Sequence, residues 1–138
     1  MRRGKLTETQ FALIIEDEKL IANYFAKLLS RGKLKTKVAP TSTRKLDRYL
    51  ESLTDQDLQQ LLLVIVDQRF SSGNIGKFLK KAKISNPEVL ILEKSGWPTK
   101  KKYQYSDIVI FDIIKFTTVL EKIGPNTETI ALLIQKIK

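Results

Sequence analysis

The 138-residue sequence predicts an α/β domain in which five parallel strands form one doubly wound sheet with helices on both faces. Three observations carry this. Runs such as "FALII" (11–15) and "LLLVIV" (61–66) are apolar at every position, as strands covered on both faces are. Such runs alternate with segments whose apolar residues recur at steps of three and four, the spacing of amphipathic helices. The first and third runs end on acids, Glu16–Asp17 and Asp67. Parallel strands point the same way, so their carboxyl ends share one rim, where ligands of such sheets collect.

The elements follow in order. Residues 11–15 give the first strand, and Leu20, Ile21, Tyr24, Phe25, Leu28 and Leu29 mark a helix over 18–31 that Gly32 closes. In "KLKTKVAP", Leu34, Thr36 and Val38 alternate with lysines, which predicts an edge strand ended by Pro40. Thr41 or Ser42 caps a second helix with the stripe Leu46, Tyr49, Leu50 and Leu53. "TDQDLQQ" is a polar connector or a further helical turn before the buried strand at 61–66. "SSGN" reads as a turn, Ile75, Phe78, Leu79 and Ala82 as a third helix, and "EVLIL" (88–92) as the fourth strand. "EKSGWPTKKKYQYS" is irregular, and "DIVIFDII" (107–114) is the fifth strand. Helical spacing resumes over 116–123, and Ile130, Leu133, Ile134 and Ile137 form a last amphipathic turn or two. The chain thus reads as one domain, 1–138, with a core over about 9–124 and an extra C-terminal helix over 125–138.

Composition narrows the chemistry. The chain has no cysteine and no histidine, which removes disulfides, thiolate chemistry, the usual zinc sites and Ser-His or Cys-His catalysis. Neither a G-x-G-x-x-G nor a P-loop motif is present. No apolar signal segment follows the charged N-terminus and no run approaches a membrane span, so the expectation is a cytoplasmic protein with no membrane partner. The formal charge of +10 and pI near 9.8 favour anionic partners.

Glu16, Asp17 and Asp67 on one rim would make a hard, oxygen-rich pocket suited to Mg2+, which relieves the repulsion among them. Lys115, just after the fifth strand, would join that rim, and a metal and a lysine beside a carboxylate suit a phosphoryl acceptor. The plainer alternatives are helix N-terminal acids for Glu16 and Asp17 and an exposed loop acid for Asp67.

On these residues the sequence resembles a receiver domain of the two-component response regulators, over roughly residues 9–124, with "LIIEDEKLIA" similar to the first-strand signature and "LVIVDQRF" to the acceptor segment. The resemblance implies the CheY-like, flavodoxin-like arrangement. It gives Glu16 and Asp17 the metal role and makes Asp67 both a ligand and the phosphoacceptor. Arg69 would offer its backbone carbonyl to the metal, and Lys115, in "IIKF", would contact the phosphoryl group. The implied protein is a stand-alone phosphorelay module, not an enzyme beyond self-catalysed phosphorylation and dephosphorylation. Its partners would be a histidine kinase or phosphotransfer protein and a downstream protein target.

Departures make it an atypical receiver. Glu93 stands where the family has Thr or Ser, Lys94 where a small residue follows, Asp112 at the aromatic switch position, and Phe116 replaces the proline after the lysine. An ionised Glu93 has no proton to donate to a phosphoryl oxygen, and a pairing with Lys115 or Lys94 is the expectation for it. A phosphorylation-independent pseudo-receiver is therefore an alternative, and a basic nucleic-acid-binding regulator on the same fold is another. The basic stretches are 31–37, 77–83 and 100–102, and Lys77, Lys80, Lys81 and Lys83 read as a solvated helix face. Lys100, Lys101, Lys102, Tyr103 and Tyr105, with Trp97 as anchor or packing residue, form a candidate partner surface for an acidic protein or nucleic acid. The C-terminal helix offers packing or a homodimer contact.

Overall fold

In a computed structural model, the structure describes residues 9–31, 34–70, 73–95, 103–110 and Thr118. The elements are β1 (Phe11–Ile15), α1 (Lys19–Arg31), β2 (Thr36–Val38), α2 (Thr43–Ser52), α3 (Asp55–Gln59), β3 (Leu61–Asp67), α4 (Gly73–Ser85), β4 (Leu90–Lys94) and β5 (Ile108–Ile110). All strand pairs are parallel, in the order β2-β1-β3-β4-β5, which is the predicted doubly wound sheet. β1 and β3 are buried at every position, as their unbroken apolar runs require. β2 lies at the sheet edge, and Lys35 and Lys37 face outward beside buried Leu34.

Strand alternation divides the core in two. Ala12 and Ile14 of β1, Leu63 and Ile65 of β3 and Leu92 of β4 pack with Ala22, Phe25, Leu28 and Leu29 of α1. Leu13, Ile15, Val64, Val66 and Ile91 face the other way, against Leu46 and Leu50 of α2, Leu58 of α3, and Ile75, Phe78, Leu79 and Ala82 of α4. This parity decides which charged strand-end residues meet on the rim.

Several local expectations change. The stripe of α1 is narrower than its spacing suggests: Leu20 is 85% exposed and Tyr24 49% exposed, because the face that meets the sheet is centred on Ala22, Phe25 and Leu29. Ser42 occupies the N-cap of α2 without a side-chain capping bond. The 54–60 segment is a helical turn, closed by a capping box in which Thr54 Oγ1 accepts from the Asp57 N–H and Asp57 accepts from the Thr54 N–H. α4 begins at Gly73, inside the expected "SSGN" turn. β4 starts at Leu90 rather than at 88 and runs on to Lys94, because residues 87 and 88 are spent in a turn anchored by Asn86. Asn86 Oδ1 accepts from the Glu88 N–H, and its Nδ2 donates to the Leu61 carbonyl at 2.8 Å. Residues 111–117 and 119–138, which include the expected last helices, lie outside the described residues.

Candidate functional site

Glu16 follows β1, Asp67 ends β3 and Lys94 ends β4, and each continues the alternation that faces α1. Asp67 and Lys94 are direct cross-strand partners, and Ile15 pairs with Val66, so the three side chains arrive together beside the point where strand order reverses. Glu16, Asp17 and Asp67 each bring a carboxylate oxygen within 4.8 Å of the others. Glu16 and Asp67 are buried, whereas Asp17 is exposed at the mouth. The exposed-loop reading of Asp67 is thereby removed. The helix-terminus reading of Glu16 coexists with the rim, since the Glu18 N–H, just before α1, donates to Glu16 Oε1 at 3.3 Å.

Two cations hold these acids. Lys94 Nζ lies 3.4 Å from Glu16 Oε2, 3.9 Å from Asp67 Oδ2 and 5.6 Å from the centre of the Phe25 ring. Arg69, in the turn after β3, donates its backbone N–H to Asp67 Oδ1 at 3.0 Å, and its guanidinium reaches Asp67 Oδ2 at 3.3 Å. The same guanidinium lies 3.9 Å from Glu16 and 3.8 Å from Glu18. The sequence reading has Lys94 only as a departure from a small residue and as a partner for Glu93, not as a cation of the acid rim. The signal that places it is strand parity, which becomes visible once β4 is extended to residue 94.

Burial, then the hydrogen bond and charge of Asp67, push the Glu16 carboxyl up to about 8, against the opposing pull of Lys94. Burial also acts to raise Asp67, but the hydrogen bond from Glu16, the Arg69 N–H and Lys94 outweigh it and hold Asp67 below its ordinary value. Glu16 thus keeps the proton and Asp67 the negative charge. Because the folded protein retains the Glu16 proton after the unfolded chain has released it, metal-free stability falls as pH rises from 4.5 towards about 8. The Asp67 contribution has the opposite sign and is lost as pH drops below its ordinary 3.8. The urea midpoint should be lower at pH ~8.5 than at pH ~5.5, and Glu16→Gln should flatten that difference. An unchanged slope in Glu16→Gln would assign the dependence elsewhere.

The opposite face of the rim is neutral in its donors. Glu93 is wholly buried and accepts from the Tyr103 N–H at 2.9 Å, from Ser106 Oγ at 2.7 Å and from Gln68 Nε2. Ser95 Oγ in turn donates to Gln68 Oε1. Among the described residues no cation pairs with Glu93, and the expected partner Lys94 points to the other face. The Glu93 carboxyl group is therefore held by hydrogen bonds that tie residues 103–106 to the end of β4.

Tyr103 and Tyr105 are half-buried and pack on the α2–α4 side of the core, with the Tyr103 ring above Gly76. Lys77, Lys80 and Lys81 are exposed, as a solvated helix face requires, while Lys83 turns inward to Asp107 at 2.8 Å. Trp97, Lys100, Lys101, Lys102, Asp112, Lys115 and Phe116 lie outside the described residues. Among the described residues no helix is long and apolar enough to cross a membrane.

The donor set is all oxygen and fits a hard divalent cation in kind, although Lys94 and Arg69 already contact two of its members, Glu16 and Asp67. No family model matches the chain, and no curated protein is significantly similar to it.

Proposed function

We propose that the protein is an atypical receiver-like signalling module that takes a phosphoryl group on Asp67 and acts through protein–protein contacts. The observation that carries this reading is the buried Asp67 carboxyl group at the carboxyl end of the central strand, with Glu16 and Asp17 converging on it from β1. In the step, an Asp67 carboxylate oxygen forms a bond to phosphorus as the bond to the donor's leaving group breaks. That group, a phosphohistidine imidazole or acetate, departs with the electron pair. Glu16, Asp17, Asp67 and the Arg69 backbone carbonyl would hold Mg2+, which when bound supplies neutralisation of phosphoryl oxygens. Arg69 is half-exposed at the mouth and is the described cation best placed to draw an anionic donor to Asp67. A histidine kinase or phosphotransfer protein would be the donor.

Intact mass after incubation with Mg2+ and acetyl phosphate tests the proposal. One phosphoryl adduct is expected on the wild type and none on Asp67→Asn. A wild type that stays unmodified while folded would overturn phosphoryl acceptance.

A second reading is favoured by Lys94. Its ammonium already neutralises the acid pair, and Glu93 is committed to Gln68, Tyr103 and Ser106. Both features suit a pseudo-receiver whose conformation is set by its partners, and an unmodified, folded wild type in the same experiment would support it.

A further inference from the structure

The acid pocket contains a cation that belongs to the chain. The side chain of Lys94 is 9% exposed, and its Nζ stands among Glu16 Oε2, Asp67 Oδ2 and the Phe25 ring. These contacts are supplied by three different elements, β1's end, β3 and α1, so the ammonium is enclosed rather than draped over the rim. Arg69 touches the same acids, but its side chain is 43% exposed and can swing into solvent at little cost.

A divalent ion would have to share these oxygens. At a metal–oxygen bond of about 2.1 Å, an ion on Glu16 Oε2 would lie no more than about 5.5 Å from Nζ, the bond length added to the 3.4 Å contact. A double positive charge that close to a buried ammonium is strongly repelled. The two cations therefore compete for the same oxygens.

Resting on the reading of Glu16, Asp17 and Asp67 as metal ligands, we infer that Lys94 is the resident counter-ion of this pocket and that divalent metal enters only by displacing its ammonium. The wild type then needs no metal to keep its acids together, and the rim is a weak metal site by construction. Movement of Lys94 becomes the event that opens the pocket to metal.

The test measures Mn2+ binding by electron paramagnetic resonance, with Mg2+ competition, on wild type, Lys94→Met and Lys94→Gln. Glu16→Gln serves as a control that removes a ligand able to ionise when metal binds. Both Lys94 variants should bind Mn2+ at least about tenfold more tightly than the wild type, the factor that a modest change in local repulsion produces. They should also gain thermal stability from Mg2+ that the wild type does not gain. Equal or tighter binding by the wild type would overturn the inference, as would no binding by any form. If the variants fold only with Mg2+, the metal is replacing the ammonium and the inference stands. If neither folds even in saturating Mg2+, the metal cannot replace it and the inference falls.

Phosphoryl acceptance is read separately by intact mass. Tighter metal binding by the variants without any adduct on the wild type removes the acceptor role alone. An adduct with unchanged metal affinity removes the Lys94 role alone.

Discussion

Replacing Phe25 with alanine is expected to cost about 3–5 kcal/mol, the usual range for emptying a buried aromatic site. Phe25 is fully buried at the centre of the face that α1 lays on the sheet, among Ala12, Ile14, Leu63, Ile65 and Leu92. Its ring also lies beneath the Lys94 ammonium, 5.6 Å from centroid to Nζ, so a cavity there loosens the cation as well as the core. Phe25→Leu separates the two effects, because it keeps most of the apolar volume and removes the ring face. It should cost roughly 1.5 kcal/mol and, unlike Phe25→Ala, leave the cooperativity of unfolding intact. Urea denaturation followed by far-ultraviolet circular dichroism reads both. A loss in Phe25→Ala of under about 1 kcal/mol would place the ring outside the core and contradict the structure.

Glu93→Ala should cost about 3 kcal/mol by a different mechanism. Glu93 is buried and receives three donors, so truncation removes at once the acceptor shared by the Tyr103 N–H, Ser106 Oγ and Gln68 Nε2. Removing a buried acceptor that serves three donors leaves hydrogen bonds unmade in a site of low polarity. Glu93→Gln keeps the shape and one carbonyl acceptor, and its loss should be about half as large. Hydrogen exchange gives the local readout, since the Tyr103 amide bonds Glu93 Oε1 itself. Its protection should drop in Glu93→Ala well before that of β3. Unchanged protection at Tyr103 would falsify the assignment of Glu93 as the tie between β4 and the segment before β5.

The sheet and half of the rim were legible in the sequence. β1 and β3 announce themselves because a strand covered on both faces has no polar position to interrupt it, and Glu16 and Asp67 mark where that cover ends. The other half was obscured by a two-residue displacement of β4. Val89 is apolar and buried, so it reads as strand, yet the turn held by Asn86 delays pairing until Leu90. With the strand placed at 88–92, Glu93 and Lys94 look like adjacent loop residues free to pair with each other. With the strand at Leu90–Lys94 they fall on opposite faces and meet different partners. Periodicity likewise includes Leu20 in the α1 stripe, because spacing reports which residues share a helix side and not how far the neighbouring sheet extends.

The opposed placement of Glu93 and Lys94 also bears on how the chain avoids mispairing. β4 is mostly aliphatic, and Ile91 and Leu92 alone would tolerate a shift against β3 with little change in buried area. A shift of one residue exchanges the two faces. It would deliver the Glu93 carboxylate towards Glu16 and Asp67 and strand the Lys94 ammonium among Gln68, Tyr103 and Ser106. Both outcomes are electrostatically unfavourable, so the charged end of β4 acts as a proofreading mark that an all-aliphatic strand would lack.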